Sequence, residues 1–123
     1  MGIRGLDHIN IGTARLAETV AFFRDVLGLS EGWRPDFPFP GAWLYAGNTA
    51  VVHLVELDEA KGPSSEAALD HFAFRVDDAA AIAARLDAAG IAYRQMDVPG
   101  TKIRQLFVRE LNGVTLELNE RPD

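Results

Sequence analysis

The sequence predicts an α+β protein in which one supersecondary unit is written twice, each copy a strand, a helix and three further strands. Three observations carry this prediction. Leu6-Asp7-His8 recurs as Leu69-Asp70-His71, an offset of 63 residues (8 to 71) in a chain of 123. Each copy continues into an alternating stretch, Ile9-Asn10-Ile11 and Phe72-Ala73-Phe74, with the period of a half-buried strand. A glycine then closes a helical-period run in each half, Gly28 in the first and Gly90 in the second. A histidine-bearing strand repeated in this way suggests two units that contribute equivalent groups to one site.

The first strand is expected over Gly5–Ile11, with Leu6, His8 and Asn10 on one face and Gly12 as its breaker. Thr13 is a candidate N-cap for a helix reaching Leu27. Leu16, Val20, Phe23 and Leu27 form one helical stripe, widened by Phe22 and Val26, and Gly28 suits a left-handed C-terminal cap. Leu29 begins a second strand. Residues 30–41 hold Trp33, Arg34, Phe37 and Phe39 among Pro35, Pro38 and Pro40. Three prolines argue for a loop with a strand edge, which either covers a site or patches the core or a subunit interface. Residues 42–46 and 50–56 read as a hairpin turning at Gly47-Asn48, with Val51, His53 and Val55 on one face.

A polar linker over residues 57–68 leads to the second half, which repeats the plan. It reads as a strand to Val76, a helix capped by Asp77 or Asp78 with Ile82 and Leu86 inward, and a strand over residues 91–96. A closing hairpin follows, over residues 102–109 and 114–119, turning at Leu111-Asn112-Gly113, and residues 120–123 are expected to fray. The reading is one domain over 1–123, with a first module of about 60 residues and a second over about 69–120.

The bulk composition narrows the function. Hydrophobic residues make up 48% and charged residues 24%, as in globular proteins. The net charge of −6 argues against a grip on nucleic-acid phosphates, which needs concentrated Lys and Arg. No apolar run is long enough to cross a bilayer, and no signal-peptide pattern precedes the first strand, so a cytoplasmic protein is expected. Cysteine is absent, so any metal site must use His, Asp and Glu.

His8 and His71 open the two halves. Asn48 and Asn112 align the closing hairpins at an offset of 64, which places His53 on Glu117. These four positions include every histidine of the chain. Their strand neighbours Ile9, Phe72, Leu54 and Leu116 are apolar, so the polar set points away from the helix-covered face. Imidazoles with a carboxylate suit divalent Zn, Ni, Co, Mn or Fe. His53 is open to three roles: ligand, free acid–base group or substrate hydrogen-bond partner.

The stretches Leu6-Asp7-His8-Ile9-Asn10-Ile11, Ala21-Phe22-Phe23-Arg24-Asp25-Val26-Leu27-Gly28-Leu29, Asp70-His71-Phe72-Ala73-Phe74 and Leu111-Asn112-Gly113-Val114-Thr115-Leu116-Glu117-Leu118 resemble the vicinal oxygen chelate superfamily. That superfamily includes glyoxalase I, fosfomycin- and bleomycin-resistance proteins and extradiol dioxygenases. The resemblance spans essentially the whole chain and implies paired βαβββ modules forming a cup-shaped, incompletely closed eight-stranded mixed sheet with helices outside. It further implies His8, His71 and Glu117 as metal ligands, a fourth ligand at the position of His53, a small-molecule substrate, and a homodimer in which modules pair within or across chains. The last hairpin departs from the family, with Arg109-Glu110-Leu111-Asn112-Gly113 where relatives carry an Asp-Pro-Asp-Gly type of turn.

Coordination number orders the reactions. With four protein ligands, two positions of a six-coordinate ion remain, enough to chelate vicinal oxygens and stabilise an enediolate in a lyase or isomerase. Glu117 is then the candidate base. If His53 stays off the metal it can itself be the base, and a ring-cleaving Fe(II) dioxygenase, which needs three open positions, regains ground. A drug-sequestering protein is the non-enzymatic alternative. Trp33, Trp43, Tyr45 and Phe107 are candidates to line a substrate pocket, and Arg104 to hold a substrate carboxylate if it shares Glu117's face.

Overall fold

The computed structural model describes residues 2–122. The chain divides into two compact units, Met1–Lys61 and Gly62–Asp123. The first contains β1 (Ile9–Thr13), α1 (Leu16–Ala21), β2 (Ser30–Gly32), β3 (Gly41–Ala46) and β4 (Thr49–Glu56). The second contains β5 (His71–Val76), α2 (Ala79–Ala88), β6 (Tyr93–Asp97), β7 (Arg104–Arg109) and β8 (Thr115–Glu120). The strand orders are β1-β4-β3-β2 and β5-β8-β7-β6, so the expected βαβββ unit occurs twice with one topology. In each sheet the outer parallel pair joins the first strand to the last, and the remaining pairs are antiparallel. A parallel pair needs a long connection, and the helix and intervening strands provide it.

The register establishes which positions of the two copies correspond. His53 lies opposite Asn10 on one side and Trp43 on the other, and Glu117 lies opposite Ala73 and Phe107. His53 and Glu117 therefore occupy the same place in their respective sheets. Alternation along the strands does the rest. In β4, Val52 and Leu54 are fully buried whereas Val51, His53 and Val55 are half-buried on the other face. Phe23, Leu44 and Leu54 anchor the first core, and Leu86, Leu106 and Leu116 the second. Each contributes about 1.5–3 kcal/mol by leaving water.

The local signals place most boundaries. Asp78, rather than Asp77, caps α2 by accepting from the Ala81 amide at 3.0 Å. Gly90 ends it at φ +71, with the Ile91 amide on the Leu86 carbonyl and the Gly90 amide on that of Asp87, a Schellman closure. Gly47 takes φ +61 in the two-residue turn between β3 and β4. The stretch after Leu29 contributes only the three-residue edge strand β2, and its prolines fall in irregular backbone.

Three expectations are corrected. Gly12 does not break β1, which starts at Ile9 and runs through Gly12, paired with Val55, to Thr13. A Cβ at Gly12 would lie 2.5 Å from Leu57 Cδ1, so the glycine serves close packing instead of chain reversal. Thr13 is strand rather than N-cap, although its buried hydroxyl still accepts from the Arg15 amide at 2.9 Å and meets Thr19 Oγ1 at 3.0 Å. The first helix does not run uniformly to Leu27. It passes at Phe22 into a π-helical turn, Phe22–Val26, before Gly28 at φ +83. The wider turn brings Phe22, Phe23 and Val26 into the core together.

The unusual last hairpin has its own organiser. Glu110 is buried, and its carboxylate accepts from the amides of Asn112 (2.7 Å) and Val114 (2.9 Å) and from Asn112 Nδ2 (2.8 Å). Glu120 belongs to β8, and its carboxylate accepts from the Ala79 amide at the start of α2. Of the tail expected to fray, residues 121 and 122 follow β8 and Asp123 lies outside the described residues. No helix among the described residues is long and apolar enough to cross a membrane.

Candidate functional site

In the first unit the candidate groups form a stack of rings. The His8 imidazole lies on that of His53 with centroids 3.7 Å apart and planes within 11°, and His53 lies on Trp43 at 3.9 Å and 12°. Trp33 meets Trp43 edge-on at 5.9 Å. Tyr45 donates its hydroxyl to the Trp33 carbonyl at 2.5 Å, which ties the start of the loop to β3. Burial, and then the neighbouring His8, hold the His53 imidazole below the usual histidine pKa, against the opposing effect of its contact with the Ala50 carbonyl. His53 is therefore neutral at pH 7. Its Nε2 donates to that carbonyl at 3.1 Å, which leaves Nδ1 as the lone-pair nitrogen. Lone pairs lie in the ring planes, so two near-parallel imidazoles cannot aim at one ion. In this arrangement His8 and His53 do not share a coordination point.

In the second unit the pair is His71 and Glu117. His71 Nε2 lies 2.5 Å from Glu117 Oε2, and Gln105 Nε2 donates to Glu117 Oε1 at 2.9 Å. The Asp70 carboxylate, hydrogen-bonded to Nδ1, raises the His71 pKa, with Glu117 adding to the effect. Phe107, opposite Glu117, carries the Arg94 guanidinium over its ring at 4.7 Å.

A feature absent from the sequence reading is common to both units. His8 Nδ1 is 2.6 Å from Asp7 Oδ1, and His71 Nδ1 is 2.9 Å from Asp70 Oδ1. Metal-binding histidines commonly donate one ring N–H to a carboxylate, which fixes the tautomer and presents the other nitrogen as the ligand. At His8 this leaves Nε2 as the available nitrogen, whereas at His71 the Nε2 faces the Glu117 carboxylate. The signal was in the sequence, because the repeated tripeptide contains the aspartate as well as the histidine. Among the described residues no group of three or more His, Asp or Glu is arranged so that it could hold an ion. The donor types present, imidazole and carboxylate, fit a divalent metal.

Arg104 does not share the face of Glu117. Gln105 and Phe107 do, and alternation turns Arg104 to the other side, where it lies opposite Glu120 and 3.5 Å from Asp97. Gln105 is the residue that the one-place register error hid.

A family model described as Glyoxalase/Bleomycin resistance protein/Dioxygenase superfamily matches residues 5–118. No curated protein matches the chain. Among solved structures it is similar to a glyoxalase family protein from Bacillus anthracis (22% identity, 98% of this chain and 97% of that one, TM-score 0.80). It is similar also to the fosfomycin resistance protein FosX from Listeria monocytogenes (17%, 98% and 95%, 0.78) and to lactoylglutathione lyase from Agrobacterium tumefaciens (19%, 98% and 96%, 0.70). At these identities the structures speak for the fold, and the match over residues 5–118 speaks for the family: the chain belongs to the Glyoxalase/Bleomycin resistance protein/Dioxygenase superfamily.

Proposed function

We propose that the protein is a divalent-metal-dependent lyase or isomerase acting on a small substrate that offers two vicinal oxygens. His8 and His71, each through Nε2, and Glu117 are the ligands, with the modules paired within one chain or across a homodimer. The observation that carries this reading is the paired Asp–His contact, 2.6 Å at His8 and 2.9 Å at His71, repeated at equivalent places. The fosfomycin-resistance relative from Listeria monocytogenes has been crystallised with Mn(II) and 1S,2S-dihydroxypropylphosphonic acid, which supports both a metal and an oxygen-rich substrate here. When bound, the metal acts as a Lewis acid on the substrate oxygens.

The chain's own residues supply the remaining chemistry. His53, neutral and with Nδ1 available, is suited to take a proton from carbon next to a carbonyl. Trp43 on one side and His8 on the other hold its ring in place. Gln105 fixes one oxygen of Glu117, and the other faces His71 Nε2, so the two candidate ligands of this unit lie side by side. If Glu117 also accepts a proton, it does so by releasing the ion.

A second reading follows from one observation. Because His53 stacks on His8 instead of converging with it, the ligand set reduces to two histidines and one carboxylate, the face used by ring-cleaving Fe(II) dioxygenases. Two measurements decide. Metal analysis of the purified protein should find a stoichiometric divalent ion, and its lack would favour a sequestering protein and sink both enzymatic readings. Iron-loaded protein should consume no oxygen with catechols, and robust uptake would replace the lyase or isomerase reading with the dioxygenase.

A further inference from the structure

Among the described residues, Arg34 is a cation without a counter-ion, set beside the first unit's candidate groups. It sits in the aromatic loop, with its guanidinium carbon 5.0 Å from the Phe37 ring centroid and 5.1 Å from that of Phe39. Those two rings stack on each other at 5.2 Å. Nη2 donates to the Phe39 carbonyl at 3.1 Å. Nε is buried and has no hydrogen-bond partner, and no carboxylate among the described residues pairs with the side chain. In a chain of net charge −6, where acidic groups outnumber basic ones, a half-buried guanidinium left unpaired is conspicuous.

Its place is built into the sheet. A Cβ at Gly41 would lie 2.8 Å from Arg34 Nη2 and 3.0 Å from its guanidinium carbon. Gly41 pairs with Val55 as Trp43 pairs with His53, so glycine, guanidinium, Trp43 and His53 share one face. Hydrogen bonding to the loop and stacking on two rings orient the planar fork without consuming all of its donors.

We propose that Arg34 is a substrate-binding residue that holds an oxyanion, a carboxylate or phosphonate, on the substrate of the site containing His8 and His53. This rests on the metal-dependent reading for what the rest of the substrate does, and it narrows the substrate to a small anionic molecule with vicinal oxygens. Arg34 takes the role that the sequence reading gave to Arg104.

The test uses the purified full-length chain, metal-free and metal-loaded. Glycerate and methylphosphonate are titrated in both forms, inorganic phosphate in the metal-free form, and propane-1,2-diol as the neutral comparison. Binding is followed by the fluorescence of the two tryptophans and by the NMR resonance of the Arg34 Nε–H. The anions should saturate, shift that resonance and bind about 10- to 100-fold more tightly than the diol. Arg34→Gln should remove the difference, Arg34→Lys should restore part of it, and metal content should be the same in all three proteins. The ratio of glycerate to methylphosphonate affinity identifies which oxyanion the fork prefers. Wild-type protein that saturates with none of the three anions overturns the proposal, as does a resonance that stays put while they bind. So does an Arg34→Gln protein, folded by its melting curve, that binds them as well as wild type. A chain that takes up no metal but binds phosphate through Arg34 refutes the metalloenzyme and leaves the anion site standing.

Discussion

A histidine becomes a dependable ligand when its other nitrogen is committed, and the two aspartates provide that commitment. Asp70→Asn keeps an acceptor beside His71 but removes its charge, and should weaken divalent metal binding by about 10- to 100-fold with little change in melting temperature. Asp7→Asn should act alike on His8. Titration calorimetry would show this, and unchanged affinity in both variants would reduce the contacts to surface ion pairs. The candidate ligands were legible as residues because the tripeptide repeats and because His53 aligns with Glu117 at an offset of 64. Their partners were not all legible. Asp7 and Asp70 stood in the quoted motif, whereas Gln105 on Glu117 depends on a strand register that a one-place error reverses. The stacking of His8 on His53 and of His53 on Trp43 depends on side-chain packing between three strands' worth of sequence, which no local pattern encodes.

At the scale of elements, the signals that read well were those whose physics is local. Gly28, Gly47 and Gly90 take positive φ where the helix ends and the tight turn require it. Gly12 was misread because a glycine that admits Leu57 looks, in sequence, like one that ends a strand. Gly41 serves a third purpose, and Gly41→Ala would press a methyl group against the Leu54 carbonyl and the Arg34 guanidinium. It should cost about 1–3 kcal/mol in chemical denaturation. The closing turn gives a sharper test. Removing the carboxylate in Glu110→Ala takes the acceptor from two half-buried amides, those of Asn112 and Val114, and should cost about 1–3 kcal/mol in all. Glu110→Gln keeps an acceptor for both and should be far milder. Burial, the largest influence on Glu110, raises its pKa, with the hydrogen bonds opposing. Between the unfolded and folded values the native state binds the proton more tightly, so stability falls as pH rises through that window and is level above it. Glu110→Gln should lose this component. If the difference in stability between the two proteins is flat from pH 4 upward, the carboxylate is not desolvated.

On the scale of the whole molecule, the duplication makes a claim about numbers. Two topologically identical units each carry an Asp–His contact and a closing-strand candidate, His53 in one and Glu117 in the other. If those groups serve one ion, the stoichiometry is one metal per chain, and His8→Ala and His71→Ala should each lower affinity by a comparable factor. The double variant should then lose little beyond either single one, because a site already deprived of one ligand has little left to forfeit. Two independent sites would bind two ions, and each substitution would remove one while sparing the other. Stability reports the same distinction. A ligand at 100 times its Kd stabilises the native state by about 2.7 kcal/mol, so saturating metal should raise the melting temperature of the wild-type chain. Neither single variant should show that rise at the same concentration. The carboxylate supplies an asymmetry that the histidines do not. Glu117→Gln preserves the shape that Gln105 holds but removes the only charged ligand of the set, so it should depress affinity for hard ions such as Mn(II) more than for Zn(II), which imidazole alone binds well. Competition between the two metals in wild type and variant measures that ratio directly, and an unchanged ratio would place Glu117 outside the coordination sphere.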